Sequence, residues 1–182
     1  MRPPGYGGGR GKCRVTEIDA CRSALRELAI GRLAGRDVRT SHLVEAGLDA
    51  IVAGLDVPSV ALLAGLESSG EDAIEKALGQ VVDELGLELP ADATAARWLL
   101  IHGWLTAMVE GTLSPAAGGA LVSEVGELLG SPAPLRGITR WSAMLDNWIP
   151  TDLTPRDVCE VPILEESAEL LEGPWPPGRS HP

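Results

Sequence analysis

Two histidines sit where a helix would align them with acids. His42 and Glu45 are three residues apart and Asp49 lies four further on, so one helix face would carry an imidazole and two carboxylates. A His-x-x-Glu pair binds metal in helical di-iron sites, but such sites need a second pair and further inward carboxylates. No second His-x-x-Glu occurs in the chain. Val44, Leu48 and Ile51 mark the expected buried side of this helix, which assigns His42, Glu45 and Asp49 to solvent. The second histidine, His102, shares a four-residue spacing with Thr106 and Glu110. This narrow polar stripe runs between apolar flanks. A stripe of that kind lines a pocket, receives a partner or is simply the exposed side of its helix, and the last reading is the simplest. A catalytic histidine also needs a nucleophile or acid in range, and the spacing places none beside it.

The thiols and glycines give weaker signals. Cys13, Cys21 and Cys159 are odd in number and widely separated, without a CxxC pair, so neither a disulfide framework nor a structural zinc site is expected. Cys21 falls on an apolar stripe and reads as a small core residue. Cys159, near a loop with Arg156 three residues before it, is the more accessible candidate. GYGGGRGK resembles a phosphate loop only superficially, because it lacks the Ser or Thr after the lysine and any preceding strand. No metal and no cofactor is expected. Trp141 and Trp148, seven apart, would share a helix face. Trp175 stands among prolines in the last ten residues. Core packing accounts for the first two, but tryptophan also favours contact hot spots, and a Pro-flanked Trp can dock in a groove of its own domain or of a partner.

The charge balance narrows the partners. The 182-residue chain carries 15 basic and 26 acidic residues, a net charge of −11. Four of the bases (Arg2, Arg10, Lys12 and Arg14) fall in residues 1–14, leaving 11 against 26, or −15, for the remainder. Nucleic-acid affinity rests on Lys and Arg neutralising phosphates, and anionic membranes attract the same residues. Direct nucleic-acid binding and membrane association are therefore disfavoured, and another protein is the expected partner. No apolar run reaches the length of a membrane span, and the basic start lacks the apolar segment of a signal peptide. A cytoplasmic location is expected.

These residues need elements to hold them, and the periodicity is helical throughout. Hydrophobic residues make up 45% of the chain and aromatics 3%, with no Phe, so the core must be aliphatic with tryptophan as its large pieces. Residues 1–14 have no apolar periodicity and read as disordered. Helical pattern starts after Val15, and because GTG valine codons serve as bacterial starts, the native chain is expected to begin at position 15. A first helix spans about Thr16 to Ala34. A second starts near Thr40 and buries Val44, Leu48, Ile51, Val52 and Leu55. A short third follows an Asp56 cap and Pro58. The fourth opens on a Ser68–Glu71 capping box and leaves through Gly86. The fifth, Asp92 to about Glu110, is apolar over most of its circumference, which suits a central helix. Ser114-Pro115 opens a sixth. A seventh carries Ile138, Trp141, Leu145 and Trp148. Pro155 starts another, and Ile163 to Leu171 forms the last.

The expected fold is thus all-α, a bundle-like domain of seven to eight helices over residues 15–150. A helical arm at 151–172 and a disordered Pro-rich tail at 173–182 complete it. Leu33–Val38 and Val109–Ser114 both read as helix, glycine turn and a new helix start. That echo divides the domain into halves 15–88 and 91–150; glycine turns are common enough that coincidence is the preferred explanation. Ala46–Leu66 (AGLDAIVAGLDVPSVALLAGL) and Ala107–Val125 (AMVEGTLSPAAGGALVSEV) resemble segments of all-helical proteins of GC-rich bacteria to which no activity is attached. The resemblance implies a fold and brings no functional residue. Taken together, these features point to a small acidic interaction protein of the adaptor or immunity-like regulatory kind, acting through its acidic surface and the Trp141–Trp148 region. The alternative is an enzyme or small-molecule binder with a pocket near His102, of which catalysis is the less favoured part.

Overall fold

The computed structural model describes residues 10–66, 70–149 and 155–177, with side chains from Val15 onward. Eight α-helices and one short 3-10 turn occupy these segments, and no strand is present among the described residues. The chain is all-α. It divides after Leu89 into two units, each with its own core.

The first unit holds α1 (Arg10–Leu33), α2 (Thr40–Ala53), α3 (Pro58–Ala64) and α4 (Glu71–Leu85). Helix α1 begins at Arg10, upstream of the expected start, so the disorder expected for residues 1–14 gives way to helix over 10–14. Residues 1–9 lie outside the described ones. Leu25, Leu43, Val60, Leu63, Ile74 and Val81 are fully buried and form the centre of an aliphatic core. Helix α4 follows its pattern closely, burying Ile74, Ala77, Leu78, Val81 and Leu85 on one stripe. Gly70 occupies its N-cap; the Ser68 and Ser69 of the expected capping box lie outside the described residues. Val57, not Asp56, is the N-cap of α3, ahead of Pro58 at the first helical position.

Helix α2 is rotated from the expected register. Its buried residues are Leu43, Val44, Gly47 and Ala50, whereas Leu48, Ile51 and Val52 are 50%, 41% and 87% exposed. The reason is close packing. A Cβ on Gly47 would lie 3.2 Å from the backbone nitrogen of Ala64, so α3 approaches the small-residue face and the bulkier side chains turn outward. After α4 the chain folds back along α1. The Arg22 guanidinium donates to the Leu85 carbonyl at 2.6 Å and Arg26 Nε to the Glu88 carbonyl at 2.8 Å.

The second unit holds α5 (Ala93–Val109), α6 (Pro115–Leu128), a 3-10 turn (Ala133–Leu135), α7 (Arg136–Asp146) and α8 (Asp157–Glu172). The Asp92 side chain accepts from the Ala95 N–H and Ser114 Oγ from the Ala117 N–H, the caps that start α5 and α6. Ile101, Leu105, Val122, Val125, Ile138 and Ile163 are fully buried. Helix α5 is not buried all round: it inserts Ala96, Ile101, Leu105 and Met108 and leaves Leu99 exposed, because in a four-helix unit every helix keeps a solvent side. Helix α8 is one element with Pro162 inside it, where the sequence pattern suggested two. The proline ring removes the N–H that would bond the Val158 carbonyl. Cys159, Ile163 and Ser167, at four-residue spacing and buried, hold the helix in place. It packs on α5, α6 and α7 and so belongs to the unit's core rather than to an outlying arm. The preceding residues 151–154 and the final 178–182 lie outside the described ones.

The two units share punctuation. Gly35 and Gly54 in the first and Gly111 and Gly130 in the second all have positive φ; within each unit the pair lies nineteen positions apart, and Pro58 and Pro134 each follow four positions later. At Gly54 its own N–H bonds the Ile51 carbonyl and the next N–H bonds Ala50, both at 2.9 Å. Gly130 repeats this with Glu127 at 2.9 Å and Gly126 at 2.8 Å. This left-handed exit satisfies the last carbonyls of the helix.

Candidate functional site

Helix α5 sets its aromatic side chains at helical spacing. Trp98 and His102 are one turn apart and both half-buried, on the flank of the face that carries Ile101 and Leu105 inward. The chain leaves α8 through Gly173 and Pro174 and brings Trp175 onto this flank. The Trp175 ring stands edge-on to Trp98, with centroids 5.6 Å apart at 89°, and edge-on to His102, 4.9 Å apart at 77°. Such edge-to-face pairs each contribute about 0.5–1.5 kcal/mol beyond the area they cover. Thr94, Ala95, Trp98 and Leu99 on one side and Trp175, Pro176 and Pro177 on the other enclose a cleft of about 390 Å³. Its walls are apolar and aromatic, with the Thr94 hydroxyl side chain among them. Chemically the cleft can take up an apolar or flat group against two indole rings; it brings together no acid–base pair.

The His102 stripe does not converge on one point. His102 backs the Trp175 ring. Thr106 Oγ1 donates to the His102 carbonyl at 2.9 Å, a bond within its own helix, and Glu110 is the exposed C-cap residue of α5. Trp141 and Trp148 are half-buried and pack against the second core. The Arg140 guanidinium lies 5.0 Å over the Trp141 ring. Trp175 was legible as a docking residue from its proline neighbours, but its receptor, Trp98, carried no signal separable from ordinary helix packing.

The first histidine stands in a different setting. His42, Glu45, Ala46 and Asp49 of α2 meet Ala20, Cys21 and Ala24 of α1 along a groove of about 320 Å³. The three polar side chains are exposed, as their spacing suggested, yet they face α1 across this groove. Burial pushes the Cys21 thiol above its ordinary 9.0, and the carboxylates of Asp49 and Glu17 raise it further. A thiol held protonated is a poor nucleophile and a poor metal ligand. Cys159 is fully buried on the inner face of α8 rather than accessible near a loop. Among the described residues no group of three or more His, Cys, Asp or Glu is placed to hold a metal ion. None of the described helices is long and apolar enough to cross a membrane.

No protein-family model matches the chain, and no curated protein or solved structure matches it.

Proposed function

We propose that this chain is a helical interaction protein of the adaptor or immunity-like regulatory kind, and that the Trp98–Trp175 cleft receives its partner. The observation that supports this reading is the pair of indole rings lining an apolar cleft, with His102 edge-on to Trp175. Rigid aromatic walls lose little conformational freedom when covered, which is why tryptophan anchors so many interfaces. Charge describes the partner further. Residues 90–182 hold five bases against twelve acids, so a basic protein segment with an apolar or proline-rich anchor suits the site, and nucleic acid and anionic membranes do not. The reading places the protein in the cytoplasm. A second reading, small-molecule binding in the same cleft, is favoured by its volume, which lies within the range of ligand pockets.

The test is affinity capture on the full chain and on its Trp98→Ala and Trp175→Ala variants, with circular dichroism as a control for folding. A protein retained by the wild type and lost from both folded variants supports the interaction reading. Equal recovery on all three overturns it.

A further inference from the structure

In the first unit, α3 and α4 border a second, open cleft of about 540 Å³, lined by Pro58, Ser59, Leu62, Gln80, Asp83 and Glu84. Its acids come from α4, whose other face is packed into the core; Gln80 and Glu84 are one turn apart, with Asp83 between them on the open side. Glu84 is oriented from across the cleft, because its Oε2 accepts the Ser59 backbone N–H at 3.0 Å. Among the described residues neither Asp83 nor Glu84 is paired with a cation.

The independent observation is Ser59. It is 5% exposed, and its Oγ has no hydrogen-bond partner. Buried polar atoms are almost always satisfied, and one that is not asks for an explanation in terms of a missing partner. A hydroxyl oxygen and two carboxylates offer acceptors, and Gln80 adds a carbonyl. Pro58 and Leu62 supply an apolar wall. Donors with positive charge on an apolar stem complement this set; an anion would meet two carboxylates, and a hard divalent cation would demand oxygen on every side.

We propose that the α3–α4 cleft binds a primary alkylammonium group, with the nitrogen donating to Glu84, Asp83 and Ser59 Oγ and the methylenes lying on Pro58 and Leu62. This site is in a different unit from the aromatic cleft and does not depend on the partner reading above.

The experiment is a ¹H–¹⁵N titration of the full chain with n-butylammonium, set against n-butanol and butyrate at equal ionic strength. Saturable shifts at the Ser59 and Glu84 amides with the amine alone are expected. Affinity should fall on the order of tenfold in Glu84→Gln, the loss of one charge-assisted hydrogen bond. Ser59→Ala should weaken the amine while raising the unfolding midpoint, since it removes the unpartnered hydroxyl; a merely structural serine would not move both in these directions. Nα-acetyl-lysine N-methylamide identifies the source of the group: tighter binding than n-butylammonium assigns a lysine side chain, weaker binding a free amine, and either supports the site. Absence of saturable shifts, equal shifts with n-butanol, or tighter binding of Mg²⁺ or Ca²⁺ overturns the proposal.

Discussion

The two units solve the same packing problem with different side chains. The first is aliphatic: it has no tryptophan, and its second helix contributes Leu43, Val44 and Ala50 to the core with one close approach at Gly47. The second holds all five tryptophans of the chain, and its second helix buries Gly118, Gly119 and Gly126. A Cβ on Gly118 would overlap Met108, and one on Gly119 would lie 3.2 Å from Ser142 Oγ. These near-absent side chains let Met108, Ser142, Ile163 and Leu135 approach the helix closely, which is how interiors keep crystal-like density. The units also fasten the chain after their last helix differently. In the first, Arg22 and Arg26 bond backbone carbonyls; in the second, Trp98 and His102 take up Trp175. Guanidinium-to-carbonyl bonds hold the chain through its backbone, without aromatic rings. The aromatic version leaves an apolar cleft between Trp98 and Trp175.

The largest effects should come from two core positions, Leu25 in the first unit and Ile101 in the second, both fully buried. Either changed to alanine should cost about 2–5 kcal/mol. Ile101→Ala should lower the midpoint read by tryptophan fluorescence, which senses only the second unit. Leu25→Ala should instead lower the helix-unfolding midpoint read by circular dichroism. Next in size, Gly118→Val should cost about 1–3 kcal/mol through overpacking against Met108. Gly137→Ala should be nearly silent, because there a Cβ meets only the flexible end of Glu166. If the two glycine variants behave alike, the contrast between packed and adaptable contacts fails.

Smaller effects separate the two fastenings. Trp175→Ala should cost about 1–2 kcal/mol, the loss of two edge-to-face contacts, against about 0.5–1 kcal/mol for Arg26→Met, both read by denaturant titration. The smallest effect is a pH dependence confined to the first unit. The Cys21 pKa is raised on folding, so its contribution is fully present below the unfolded thiol value and is lost as pH rises through the folded one. Stability should therefore decline above about pH 9, and Cys21→Ala should flatten that decline. In a Cys13→Ser background, Cys21 should also react slowly with a thiol reagent at pH 8, and rapid reaction would contradict the protected setting.

Helix order and most starts were legible because their signals are local: the Ser114-Pro115 cap, the glycine exits and the stripe of α4 need no tertiary knowledge. The register of α2 was not. Its apolar residues go nearly round the helix, and the choice of face was made by Gly47 against Ala64, a contact that only tertiary packing defines. The same holds for the site. His102 was visible as a polar residue among apolar ones, but its actual neighbour, Trp175, is seventy-three positions away and shares no periodicity with it. Thr106 and Glu110 matched His102 in spacing and not in role. Ser59 and Glu84 carried no signal at all, since each is an unremarkable residue until α3 and α4 come together.

The most direct test of the aromatic fastening is the nuclear Overhauser spectrum of the full chain with tryptophan and histidine selectively labelled. Cross-peaks between the Trp175 indole and both the His102 imidazole and the Trp98 indole are predicted, and they should disappear in Trp175→Ala. Trp175 protons that show cross-peaks to neither ring, with the chain otherwise folded, would contradict the account.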